Sequence, residues 1–120
     1  NEQQKTESGD PTKFPVIKFD QVEADLGKIT EGDQVTHRFT FKNTGNVPLK
    51  IQYASASCGC TIPTYPKELV APGDTSSILV KFNSTNKVGN NTKTVTITAN
   101  TKPETTTVSF KVEVLEATTK

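Results

Sequence analysis

For most of its length the chain alternates apolar and polar positions, the period of a half-buried β-strand. The clearest run is Val35 to Asn43. Val35, His37, Phe39 and Phe41 share one face, and Thr36, Arg38, Thr40 and Lys42 share the other. Ser77 to Asn83 repeats the pattern with Ile78, Val80 and Phe82 inward, and Lys93 to Asn100 with Val95, Ile97 and Ala99. Val108, Phe110, Val112 and Val114 line a final long strand. Nearer the start, Phe14 to Asp20 predicts a strand that Pro15 marks as an edge or a beginning. Gln21 to Ile29 continues through Val22, Ala24 and Leu26 and turns at Gly27, and Val47 to Tyr53 points Val47, Leu49, Ile51 and Tyr53 inward.

Turn chemistry separates these runs: Asn43-Thr44-Gly45-Asn46, Ala71-Pro72-Gly73-Asp74, a loop from Lys87 to Asn91 around Gly89, and Thr101 to Glu104 with Pro103. Pro63 and Pro66 oppose a regular central strand, so Ile62 to Lys67 reads as a crossing loop before a short strand at Leu69-Val70. Lys111 and Glu113, with Lys81 and Lys93, read as charges that discourage edge-to-edge pairing. No helical period of useful length occurs. About seven alternating strands predict an all-β, antiparallel two-sheet sandwich. The antibody variant is excluded: the chain has no Trp, and cysteines one residue apart cannot bridge sheets about 10 Å apart.

Length and composition narrow this picture. The 120 residues make one domain with a thin core, since only 32% are apolar. Residues 1–13 are polar with little to bury and read as a flexible leader or tether; 14–116 form the sandwich and 117–120 a polar tail. A start at Asn1 is consistent with a trimmed chain or with a mature exported protein whose signal segment is not shown. Fourteen basic and thirteen acidic residues nearly cancel, with no basic stripe of the kind that neutralises phosphates, so nucleic acid is not an expected partner. No apolar run reaches the length of a membrane span.

The chemistry of the chain is concentrated in Ser57-Cys58-Gly59-Cys60-Thr61, which holds both cysteines. In an extended strand positions i and i+2 lie roughly 6.5–7 Å apart at Cα, at the upper limit for a disulfide. A Cys58–Cys60 bond therefore requires a bend at Gly59, which glycine permits through positive φ. So small a ring is expected to be easily reduced. Three readings stay open: a structural turn, a redox-active disulfide, and a pair of thiolates for a soft metal such as Cu(I) or Zn. Two ligands do not complete a tetrahedral zinc site, and no second cysteine pair is present. His37, the one histidine, could be a third ligand beside Cys58 and Cys60 if its strand neighbours theirs with the right stagger; otherwise it is a partly buried histidine with one hydrogen bond. No Asp or Asn stands at a recognisable spacing to complete a cysteine–histidine catalytic group, so no catalytic residue is assigned.

Taken in order, Phe39-Thr40-Phe41-Lys42-Asn43-Thr44-Gly45, Pro48-Leu49-Lys50-Ile51, Ser57-Cys58-Gly59-Cys60-Thr61, Pro72-Gly73 and Thr98-Ala99-Asn100 resemble one bacterial family. It is the domain of unknown function 1573 family, common in Bacteroidetes and related envelope-rich bacteria. The match runs from about Val22 to Val114. The resemblance implies an immunoglobulin-like sandwich akin to major-sperm-protein and cilia-associated (ASH or Hydin-type) domains. It also implies export to the periplasm or cell surface, often as a lipoprotein with an anchor upstream. A histidine commonly stands in the family pattern where His37 stands. The family brings no activity and no cofactor. The function expected is thus a non-catalytic, monomeric exported module that contacts a protein or another envelope component. The alternative is a small thiol site at Cys58 and Cys60, with or without His37, for copper binding or disulfide exchange.

Overall fold

The structure, a computed structural model, describes residues 13–117. The expected leader lies outside the described residues except for Lys13, and the expected tail except for Ala117. The described residues form eight strands and no helix: β1 (Ile17–Phe19), β2 (Glu23–Thr30), β3 (Gln34–Asn43), β4 (Ile51–Ala56), β5 (Thr61–Thr64), β6 (Thr75–Asn83), β7 (Gly89–Ala99) and β8 (Thr105–Leu115). They make two four-stranded sheets, in the orders β1-β3-β6-β5 and β2-β8-β7-β4. This is the expected all-β, immunoglobulin-like sandwich, with one strand more than the pattern suggested. One pair, β2 with β8, is parallel, and the others are antiparallel.

The alternating positions meet between the sheets. Phe39, Phe41, Ile78, Val80 and Phe82 come from the first sheet, and Val95, Ile97, Val108, Phe110, Val112 and Val114 from the second, all with almost no exposure. Phe82 and Phe110 touch edge to face across the layer, with ring centroids 5.6 Å apart. Burying each phenylalanine is worth about 2–3 kcal/mol relative to leaving it in water.

Each rim of the sandwich is one stretch of chain that changes sheet. Between β1 and β2, the Asp20 N–H donates to the Thr40 carbonyl of the first sheet. Two residues later the Val22 carbonyl accepts from Ser109 of the second. Between β4 and β5, Ser57 N–H donates to Thr94 of the second sheet and the Cys60 carbonyl accepts from Asn83 of the first. The cysteine segment is therefore the corner at which one rim strand crosses the core.

Several boundaries differ from the sequence reading. The first strand spans only Ile17–Phe19, because Phe14 and Val16 bond instead to the Asn43–Asn46 turn. Gly27 does not end a strand; with φ of +77° it sits in a bulge inside β2, between Asp25 and Lys28. Val47 to Tyr53 is not one strand. Leu49 makes an isolated bridge to Val70, β4 starts at Ile51, and the register slips before Tyr53. That extra residue turns Tyr53 outward, 59% exposed, and gives the inner position to Ala54. The expected strand at Leu69-Val70 is only that bridge.

The expected loop from Ile62 contains β5, despite Pro63. The Asn83–Cys60 bond sets the phase of the β5–β6 ladder so that Ile62 bonds to Lys81 and the Pro63 nitrogen faces away from β6. An edge strand loses no ladder bond to such a proline. The expected loop over Lys87–Asn91 is already strand from Gly89, whose φ of +112° opens β7. Lys81, Lys93, Lys111 and Glu113 lie on β6, β7 and β8, which are internal strands, so they guard no edge. The edges are blunted otherwise: β1 is three residues long, β2 is interrupted by its bulge at Gly27, β5 carries Pro63, and part of β4's flank is covered by the segment after β5. There Tyr65 Oη–H donates to the Gln52 carbonyl and Lys50 Nζ to the Lys67 carbonyl. Among the described residues no helix is long and apolar enough to cross a membrane.

Candidate functional site

Cys58 and Cys60 are joined by a disulfide whose Cα atoms are 5.3 Å apart, shorter than an extended strand would give. The shortening comes from a tight turn in which Thr61 N–H donates to the Cys58 carbonyl at 3.2 Å. Gly59 does not take the positive φ that the sequence reading invoked. It is exposed, and a Cβ built on it would meet nothing within 4 Å beyond its two chain neighbours.

The corner is held from both sheets. Ser57 N–H donates to the Thr94 carbonyl, and Thr94 N–H returns a bond to Ser57 Oγ at 3.1 Å. On the other side Asn83 N–H donates to the Cys60 carbonyl at 2.9 Å. Beneath the disulfide Thr61 is buried, with 4% exposure, and its hydroxyl lies 3.6 Å from Cys60 Sγ and 3.8 Å from Cys58 Sγ. Disulfide sulfur carries no hydrogen, so the hydroxyl is the donor. Cys60 N–H points at Cys58 Sγ, 3.3 Å away. Next to Cys60 the outer surface of the first sheet is hollowed into an open depression of about 300 Å³, lined by Gly59, Cys60, Ile62, Lys81, Asn83 and Gln34 among others. Cys58 does not line it.

His37 stands apart from this corner. Cys60 is level with Asn83, which pairs with Gln34 on β3, so His37 is three residues along and two strands over. That places the two main chains roughly 14 Å apart. His37 Nε2–H donates to Gln21 Oε1 at 3.3 Å, and its ring meets Phe39 edge-on, centroids 4.7 Å apart. Partial burial holds its pKa below the ordinary value near 6.5. Among the described residues no three His, Cys, Asp or Glu groups gather closely enough to hold a metal ion.

Two features escaped the sequence reading. The first is Asn43, which is fully buried. Its Oδ1 accepts from Val16 N–H at 3.2 Å and Gly45 N–H at 2.9 Å, while Nδ2 donates to the Val47 and Val70 carbonyls at 2.8 and 3.0 Å. The turn residues thus belong to one polar knot that ties three segments together. Gly45 is needed there because a Cβ would run into the backbone of Phe14, Pro15 and Val16. The second is a charge asymmetry. The strands of the first sheet contain Lys18, Arg38, Lys42 and Lys81 and no Asp or Glu, whereas those of the second balance Glu23, Asp25 and Glu113 against Lys28, Lys93 and Lys111. All four cations of the first sheet alternate out of step with its buried residues and so face outward.

No curated protein matches the chain in sequence. Among solved structures it resembles a protein of unknown function from Porphyromonas gingivalis W83, with 13% identity and a TM-score of 0.76 over 88% of this chain. It also resembles the ASH/PapD-like domain 7 of human CEP192, with 11% identity and a TM-score of 0.68, covering 98% of this chain and 96% of that one. The secreted serine protease VesC from Vibrio cholerae matches over 86% of this chain with 18% identity and a TM-score of 0.64. The chain spans 50% of the Porphyromonas protein and 24% of VesC. At these identities the likeness is one of fold. The family model described as Protein of unknown function (DUF1573) matches residues 17–114, nearly the whole sandwich, and the chain belongs to that family.

Proposed function

We propose that this domain is a non-catalytic, exported module of a bacterial envelope that binds another protein or envelope component through the outer face of its first sheet. The observation that carries this reading is the one-sided charge of that face. Lys18, Arg38, Lys42 and Lys81 project from it among Thr36, Thr40, Ser77 and Thr64, with no carboxylate on any of its strands. Lys18 and Lys42 are directly paired across β1 and β3, an arrangement that costs stability unless an anionic group lies against it. A complementary acidic surface would be attracted and oriented by such a face. The blunted edges argue against strand addition as the main mode. Export is supported by the disulfide, which persists in oxidising compartments, and by the likeness to part of a secreted protease.

A photo-crosslinking residue at Thr36 of the intact gene product, in its own cells, tests this against the same probe at Thr107 on the opposite face. A discrete adduct from Thr36 alone, recovered from the envelope fraction and lost in Arg38→Glu/Lys81→Glu, is the expected result. Equal labelling from both faces, a cytoplasmic protein, or a reproducible turnover lost on Cys58→Ser would overturn the reading.

A further inference from the structure

We propose that Cys58–Cys60 is a directional thiol–disulfide exchange site, attacked at Cys60 and releasing Cys58. This stands on the corner's own geometry and not on the binding face. Two observations give it a direction. The depression is lined by Cys60 and not by Cys58, so the open side of the half-buried disulfide is the Cys60 side. Gly59 contributes no side chain to obstruct approach from that side. A donor is aimed at the other sulfur: Cys60 N–H lies 3.3 Å from Cys58 Sγ, while the buried Thr61 hydroxyl, 3.8 Å from Cys58 Sγ and 3.6 Å from Cys60 Sγ, serves both sulfurs. Donors aimed at the departing sulfur lower its pKa, and a lower pKa makes it a better leaving group.

The partner is a dithiol protein or small molecule. Its thiolate attacks Cys60 Sγ, the Cys58–Cys60 bond breaks, and the electron pair leaves on Cys58 Sγ. A mixed disulfide then joins the partner to Cys60. The partner's second thiolate attacks its own sulfur in that bond and displaces Cys60 Sγ. The partner leaves as a disulfide, and the domain keeps two electrons and two protons as two thiols. The corner holds its place through this change, because Ser57–Thr94 and Asn83–Cys60 are main-chain and hydroxyl bonds that do not involve sulfur.

The test uses the folded, oxidised domain with dithiothreitol as the dithiol and glutathione as the monothiol. Samples are quenched in acid and alkylated, and the Cys58–Cys60 peptide is sequenced by fragmentation mass spectrometry. Reduction by dithiothreitol without loss of the β-sheet circular dichroism signal, with glutathione carried on Cys60 in early samples, is expected. Thr61→Val, which removes a donor near both sulfurs, should slow reduction at neutral pH roughly threefold without moving glutathione to Cys58, and Thr61→Ser should restore the rate. If Thr61→Val does not fold, the glutathione position in the wild type and the pH dependence of alkylation in Cys60→Ser decide alone. The latter should give Cys58 a pKa below the ordinary thiol value. A disulfide that yields only on unfolding, glutathione found first on Cys58, or a Cys58 thiol of ordinary pKa would each overturn the proposal.

Discussion

Asn43 joins three segments through one side chain, and its loss should be costly. Asn43→Ala would take their side-chain partner from two N–H groups and from the Val47 carbonyl in a largely buried place, and leave the Val70 carbonyl with Leu49 N–H alone. We expect a loss of about 3–4 kcal/mol in urea unfolding. Asn43→Asp should be little better, since it loses both donors and sets a charge against carbonyl oxygens. The Asn-Thr-Gly turn was visible in the sequence, but its reach to Val70, 27 residues away, was not. Asparagine is equally common in turns that reach nowhere. His37 gives a second test at this scale. Its folded-state pKa is lowered, so as pH falls the unfolded chain takes up the proton first. The stability that the neutral ring allows is fully present above the unfolded value and is lost as pH falls through about 6.5 toward the folded value. Denaturant midpoints measured between about pH 7 and pH 5 should fall less steeply in His37→Gln than in the wild type.

At the scale of elements, the corner between β4 and β5 shows what alternation can and cannot reveal. Strand faces were legible wherever the ladder is regular: Phe39 and Phe41 on β3, Ile78 to Phe82 on β6, and Val108 to Val114 on β8 are buried as their parity requires. Parity failed at Tyr53, because a single inserted residue reverses every face beyond it without leaving a mark in the composition. It failed again at Pro63, since a proline forbids a central strand and permits an edge one, and the edge is a property of the whole sheet. The cysteine pair was legible as chemistry, whereas its place at a sheet crossing depends on contacts with Thr94 and Asn83. A disulfide closing so short a loop constrains the unfolded chain little. By the loop-entropy relation the Cys58→Ser/Cys60→Ser variant should lose about 1.5 kcal/mol or less in chemical denaturation under oxidising conditions. A loss several-fold larger would mean that the bond itself, and not the hydrogen bonds around it, holds the corner.

At the scale of the molecule, the cationic face was hidden for a related reason. The chain's near-zero net charge averages one positive sheet, one balanced sheet and an acidic excess outside the strands, and strand order decides which residues share a sheet. The parallel pairing of β2 with β8 has a mechanical consequence. Glu23 lies beside Ser109 at one end of that ladder and Thr30 beside Leu115 at the other. Tension entering through β1 and leaving through Leu115 pulls the two strands from opposite ends, so the bonds between them bear the load together and must shear. Tension entering at Thr98 and leaving at Thr105 would instead peel β7 from β8 one bond at a time. In single-molecule extension the end-to-end direction should need a several-fold higher unfolding force than the Thr98–Thr105 direction, and equal forces would refute this. A domain held at one end and loaded at the other would then resist stretching along its end-to-end axis.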